Sequence, residues 1–249
     1  MQTLASYNIK GGVGKTAAAA NLAYLAAGEG RRVLLWDLDP QGAASFYFRI
    51  KPKIKGGSRK LISGKRDLDD LIKATDYPGL DLLPADFSYR HMDILLDAAS
   101  HPTRRLRKLT KPLSAEYDLL LIDCPPSISL VSEAVFATAD LLLVPVIPTV
   151  LSLRTLQQLR EFAEKEKLNN LQLRPFFSMV DRRKKLHREL QEQLPADWPE
   201  LLETAIPYAS EVEKMGVERR PLQTFAPRSA PAQAYRELWR EVSALLGGR

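Results

Sequence analysis

The sequence predicts an α/β fold in a single domain, 1–249: a mostly parallel β-sheet flanked by helices on both faces. Three observations predict it. The runs at 33–36, 119–122 and 141–146 are nearly continuous in apolar residues, as strands covered on both faces are. Stretches of helical periodicity separate such runs, so strand and helix alternate along the chain. The first strand–helix junction is a glycine loop flanked by lysines, Lys10-Gly11-Gly12-Val13-Gly14-Lys15-Thr16, in the context that phosphate binding requires. A length of 249 residues suits one large α/β domain.

Taken in order, 3–7 is the first strand and 15–28 the first helix, with Leu22, Leu25 and Ala26 on one face and Gly28-Glu29-Gly30 as its stop. In the loop between them, glycines allow the backbone N–H groups to turn inward, and the helix adds its positive dipole end. Lys15 would reach the β- and γ-phosphates of a nucleotide, and Thr16 would offer its hydroxyl to Mg2+. The loop departs from the general pattern G-x-x-x-x-G-K-[ST]. Ile9 fills the first glycine position, and a second lysine, Lys10, precedes the paired glycines. The strand at 33–36 ends in Asp37-Leu38-Asp39-Pro40-Gln41-Gly42. Carboxylates at the C-terminal end of a parallel strand stand where α/β sheets bind ligands. Asp39 could polarise an attacking water or organise groups around Mg2+, although Asp-Pro chemistry also builds plain turns.

The stretch 49–66 is basic without one acid (Arg49, Lys51, Lys53, Lys55, Arg59, Lys60, Lys65, Arg66) and is interrupted by Gly56-Gly57-Ser58. It reads as an exposed, mobile loop, either solvated or in contact with phosphate or a partner. A short helix over 68–72, a strand and turn over 80–85 and an amphipathic segment over 91–99 follow. A second basic stretch, 101–111, lies on a helix surface. His91 and His101 are too isolated to form a metal site. At 117–126 an apolar run ends in Asp123, as a strand that serves a nucleotide-bound Mg2+ does, the carboxylate acting through a water or on the ion itself. Next come a helix (130–138), a strand (139–146), a helix (152–166) and a strand (171–181). Arg182, Arg183, Lys184 and Lys185 begin the following helix, where cations oppose the dipole; an external anion or simple solvation would account for them. A last strand and turn covers 204–208. A closing helix over 232–246 carries Tyr235, Leu238, Trp239, Val242, Leu245 and Leu246 on one face.

With its lysine pair, its D-x-D-P-Q-G run and the Y-D-x-x-x-I-D-C-P-P of 117–126, the chain resembles the ParA/MinD family of dimerising ATPases, whose deviant Walker A loop is K-G-G-x-G-K-[ST]. The resemblance spans essentially the whole chain. It implies a P-loop NTPase of the short, single-domain ParA kind, without an N-terminal helix-turn-helix extension. It implies ATP and Mg2+ as ligands. Lys10, Gly11, Gly12, Val13, Gly14, Lys15, Thr16 and Ala17 would surround the phosphates, Pro207 and Ala209 would meet the adenine, and Thr16 and Asp123 would face Mg2+. Lys10, Lys15 and Asp39 would be the catalytic set. ATP would join two chains into a homodimer in which Lys10 crosses to the partner's phosphates and Gly11 sits where the loops meet. The family's dimers bind nonspecific DNA and work with a ParB-like or cargo adaptor protein, which places the chain in the cytoplasm on the nucleoid. A MinD-like association with membrane is the alternative, and an ATP-dependent enzyme activating a small carboxylate is the third class.

Two departures qualify the resemblance. Ala17 stands where the family often has a second threonine, and Tyr208 and Glu211 stand where many relatives carry arginines in I-P-R-N-x-R. DNA contacts would then fall to Arg182, Arg183, Lys184, Lys185, Arg219 and Arg220. The formal charge of +6 permits a polyanionic partner. The single cysteine, Cys124, reads as a small buried residue; it precludes an intramolecular disulfide and the two cysteines per chain with which the nitrogenase iron protein holds its cluster. No apolar run approaches the roughly 18 residues of a membrane span, and the N-terminus runs straight into a strand without a signal peptide.

Overall fold

The computed structural model describes residues 1–65 and 67–247. Its seven strands are β1 (Gln2–Ser6), β2 (Val33–Asp37), β3 (Lys73–Ala74), β4 (Leu80–Leu83), β5 (Leu119–Asp123), β6 (Leu141–Val146) and β7 (Gln172–Phe177). They form one sheet in the order β3-β4-β2-β5-β1-β6-β7. Every pairing is parallel except that of β3, which runs against β4. The chain order reverses about β1, with β5 on one side and β6 on the other, so a crevice opens at the carboxyl ends of the central strands. The register puts Ser6 and Asp37 on either side of Asp123 at those ends.

The helices are α1 (Lys15–Gly28), α2 (Ala43–Tyr47), α3 (Gly57–Ser63), α4 (Met92–Asp97), α5 (Arg105–Thr110), α6 (Leu130–Thr138), α7 (Val150–Lys165), α8 (Lys185–Asp197), α9 (Ser210–Glu213), α10 (Met215–Glu218) and α11 (Ala230–Gly247). Strand residues alternate between two cores. Leu34, Trp36, Leu120 and Ile122 face the layer built from α3 to α8, and Val33, Leu35, Leu119 and Leu121 face α1 and α11. Helix α1 packs against both the sheet and α11, which explains its run of fully buried alanines, Ala18, Ala19, Ala20, Ala23 and Ala26: larger side chains would force the layers apart.

The central elements match the sequence expectation, and the edges depart from it. The basic stretch expected to be a mobile loop contains α3, whose Leu61 and Ile62 are buried in the core together with Ile54; the burial of those three side chains favours the helix while the lysines around them stay exposed. Arg66 lies outside the described residues, as do Gly248 and Arg249. The short helix at 68–72 is a 3-10 turn, Asp69–Leu71. Arg182, Arg183 and Lys184 precede α8 rather than starting it. Strand β7 stops at Phe177, and Met179 adopts a left-handed φ of 54°. The segment 204–208 is not a strand; one parallel bridge, Val180 to Pro207, ties it beside the end of β7.

Helix α11 buries Tyr235, Leu238, Trp239, Val242 and Leu246 against α1 and the sheet, as expected of a closing helix rather than a membrane anchor. Among the described residues no helix is long and apolar enough to cross a membrane. Leu238→Ala is expected to cost about 2–5 kcal/mol in urea unfolding. A change within about 0.5 kcal/mol would mean that α11 does not belong to the core.

Candidate active site

The strand ends build the loop that follows β1. Asn8 is buried; its amide donates to the Pro145 carbonyl (2.8 Å), and its Oδ1 accepts the Lys10 backbone N–H (2.9 Å). Ser6 donates its hydroxyl to the Lys15 carbonyl (3.0 Å). Gly12 and Gly14 have φ of 69° and 95°, a region that side chains with a Cβ rarely adopt. At Gly14 a Cβ would also stand 2.9 Å from the Ser178 hydroxyl. Helix α1 therefore begins with its first amides open to the crevice, with no side-chain cap and no acid in its first turn.

The loop borders a cavity of about 440 Å³. At one end lie Gly11, Gly12, Gly14, Lys15, Thr16 and Ala17, with Asp39 beside them. Pro207, Tyr208, Ala209 and Met179 form another wall, and Ser178 stands against Gly14 of the loop. Backbone bonds hold that wall in place: Tyr208 N–H donates to the Val180 carbonyl (2.9 Å), and Val180 N–H to the Ile206 carbonyl (3.0 Å). The cavity thus gathers most of the phosphate-loop residues, Asp39, Pro207 and Ala209 into one space. Val13 is buried behind the loop and is not on the wall. Ser178, Met179, Tyr47 and Tyr235 are wall residues that no sequence pattern marks, except that Ser178 follows a strand end.

The two lysines have different surroundings. Lys15 is buried, and its Nζ donates to the Lys10 carbonyl (2.9 Å). Burial lowers its pKa, against the pull of Asp123 and Asp39. Lys10 gives both backbone groups to the loop, but its side chain does not line the cavity. Among the described residues no carboxylate pairs with its ammonium.

Asp123 is completely buried, and neither carboxylate oxygen has a hydrogen-bond partner. Burial and the facing Asp37 push its pKa well up, while Thr16 and Lys15 pull it back. Two orphaned oxygens beside the Thr16 hydroxyl form a hard donor set, which fits Mg2+ or the water of a Mg2+ ion. Asp37 is held by Ser45, which donates both its N–H and its hydroxyl to Oδ2 (2.7 Å each). Even so, burial pushes Asp37 up to about 6. Asp39 is more open: its Oδ1 accepts the Gln41 N–H and its carbonyl the Gly42 N–H (2.9 Å each). Cys124 is buried and its thiol is pushed well up by burial, as suits an inert core residue.

The basic residues expected to meet DNA are largely engaged within the chain. Arg183 forms a bidentate pair with Asp181 (2.9 Å each), Lys185 pairs with Glu189 (3.2 Å), and Arg220 pairs with Glu218 (2.7 Å). Arg219 stacks on the Phe46 ring at 4.5 Å and donates to the Phe46 carbonyl. The Arg182 carbonyl accepts from Arg188 (2.7 Å). Lys184 is exposed.

A family model described as an AAA domain (AAA_31) matches residues 1–174. The sporulation initiation inhibitor protein Soj of Bacillus subtilis is 30% identical over 247 residues, covering 97% of this chain and 98% of Soj. The chromosome partitioning protein ParA of Caulobacter vibrioides is 32% identical over 250 residues, covering 97% and 94%. Among solved structures, cobyrinic acid a,c-diamide synthase from Mycobacterium smegmatis, with bound ADP and magnesium, superposes with a TM-score of 0.81 at 27% identity, covering 100% of this chain and 97% of the synthase.

The raised carboxylates have a measurable consequence. The folded chain holds the Asp37 proton more tightly than the unfolded chain, so Asp37 lowers stability as pH rises from the ordinary carboxylate value through about 6. Without nucleotide, Asp37→Asn should remove this loss and raise the melting temperature at pH 7.5 by roughly 3 °C or more, with a smaller gain at pH 5. Thermal unfolding across pH 5–8 checks it; an equal shift at both pH values would contradict the assignment.

Proposed function

The chain belongs to the ParA/MinD family of ATPases, and on that premise we propose that it is an ATP-gated dimer that binds DNA nonspecifically and is reset by hydrolysis, so as to partition or position a cargo. The observation that carries this reading is Lys10. Its backbone completes the loop of its own chain, while its ammonium is off that chain's cavity and unpaired among the described residues. Such a lysine suits a second subunit's phosphates. Gly11 supports the same reading. Its φ is ordinary, and a Cβ would meet only Pro126 Cγ at 4.0 Å, so nothing within one chain demands glycine there. A partner loop facing it would.

ATP is the substrate. The loop amides and Lys15 would hold its phosphates, and the wall at Pro207 and Ala209 would take the adenine through backbone and apolar contacts. Ala17, lacking a hydroxyl, would leave that position's contact to its backbone. Thr16 and Asp123 would hold Mg2+, which when bound neutralises phosphate charge. Asp39 would orient the attacking water from the second carboxylate-bearing strand end. Lys10 of each chain would stabilise charge on the nucleotide held by the other, as an arginine finger does. Dimer and monomer are then two states that nucleotide biases. A ParB-like or cargo adaptor protein and a nucleoid location follow from kinship with the partition proteins. The synthase likeness keeps one competing reading, activation of a small carboxylate; turnover that requires such a substrate would favour it.

Asp39→Ala with ATP should bind unrelated DNA duplexes with equal affinity, and log affinity should fall linearly with log salt concentration. ADP or no nucleotide should leave binding at least ~10-fold weaker. Lys15→Ala should bind neither ATP nor DNA. Duplex binding measured by fluorescence anisotropy across a salt series checks this. A nucleotide-loaded dimer that ignores DNA at low salt would contradict the DNA half of the reading.

A further inference from the structure

We infer that the DNA-binding surface is the face formed by α3 and α5 with the loop before α3, and not the two basic clusters at 182–185 and 219–220. The inference rests on the proposed DNA-binding function and assigns it a place. Two segments distant in sequence come together there. Arg105 Nε donates to the Ile62 carbonyl at the end of α3 (2.6 Å), and the Arg105 guanidinium crowds Gly64. Segment 50–65 brings Lys51, Lys53, Lys55, Arg59, Lys60 and Lys65; segment 98–115 brings Arg104, Arg105, Arg107, Lys108 and Lys111. Neither segment contains an acid. All of these side chains are exposed except Arg105, which is half-buried.

Charge balance separates this face from the others. Among the described residues, no cation of the two segments is in an ion pair. The clusters at 182–185 and 219–220 sit instead among Asp181, Glu189 and Glu218, which pair with Arg183, Lys185 and Arg220. Unpaired cations have their full charge available for phosphate and gain by releasing its counterions, and Arg59, Lys60, Arg107 and Lys108 are carried on α3 and α5 themselves. Their spacing is fixed by the buried Leu61, Ile62 and Leu106, which anchor both helices to the core.

The surroundings favour a duplex over other polyanions. No large apolar side chain is exposed within either segment. The exposed Phe87 and Ile94 belong to the neighbouring segment 87–97. A membrane-surface site needs apolar side chains to insert, and a protein interface is anchored by aromatic and apolar side chains. A surface of charge alone suits sequence-independent contact with a phosphate backbone. It also accounts for the loss of the arginines at Tyr208 and Glu211: the contacts lie on another face of the chain.

The test compares three variants with the unsubstituted chain, all with ATP and with duplex DNA of unrelated sequences across a salt series. Arg59→Glu/Lys60→Glu and Arg107→Glu/Lys108→Glu should each weaken binding at least ~10-fold and lower the slope of log affinity against log salt by about 2. Arg183→Glu/Lys184→Glu, with the same change in net charge, should weaken it less than ~3-fold. Hydrolysis in the absence of DNA should be unchanged in the α3 and α5 variants, which reports an intact fold. Equal losses in all three variants, or a larger loss at 183–184, would overturn the assignment while leaving DNA binding itself intact. An unsubstituted chain that binds no duplex would overturn both. Vesicles of acidic phospholipid and poly-glutamate serve as competing probes; binding to either through Arg59 and Arg107 without duplex binding would replace DNA with that partner.

Discussion

Two buried carboxylates, Asp37 and Asp123, face each other across the ends of β2 and β5, and the site is arranged around that unfavourable pair. A buried anion without a partner is costly, and here one anion is stabilised only in part and the other has two unpaired oxygens. The parallel register fixes both positions, so the cost cannot be relieved by a small shift of one strand. The nearest compensation is Lys15, itself buried, together with the Thr16 hydroxyl. A site with unpartnered carboxyl oxygens beside open helix amides and a lysine suits a ligand that brings both phosphate and a divalent cation.

On the proposed reading, that arrangement is one half of a two-chain device. The groups that the proposed reading gives to the nucleotide within one chain stand around the cavity: the left-handed glycines, the amides of α1, Lys15, and the wall at Pro207 to Ala209. One element is left over. Lys10 is fixed at its backbone and free at its charge, next to a glycine with space around it. With the backbone already fixed, a second subunit would have only the Lys10 side chain left to order. None of the cations of the basic face over α3 and α5 lines the cavity. Nucleotide and polyanion would therefore occupy separate surfaces of the chain.

Much of this was legible in the sequence where signals are local. The bounds of α1 follow from the phosphate loop and the glycine stop, and the strand ending in Asp123 announces itself by four apolar residues and an acid. What escaped depends on distant partners. The helix α3 is masked by its lysines, because the core that buries Leu61 and Ile62 comes from segments about 30 to 70 residues away. The cavity walls at Tyr47, Met179 and Tyr235 converge only when α2, the end of β7 and α11 are folded together. Segment 204–208 has strand-like residues but only one bridge to hold it. The pairing of Arg183 with Asp181 was within reach of sequence reasoning, being two residues apart; the meeting of α3 with α5 was not.

The most direct measurement of the central claim is the mass of the chain in solution, by sedimentation velocity, with a nonhydrolysable ATP analogue, with ADP and without nucleotide, for the unsubstituted protein and for Lys10→Ala. Each chain weighs 28.0 kDa. The account predicts a doubled mass only with the ATP analogue and only when Lys10 is present, while Lys10→Ala still binds nucleotide. A Lys10→Ala chain that dimerises as readily as the unsubstituted protein, or an unsubstituted chain that stays monomeric when loaded, would contradict it.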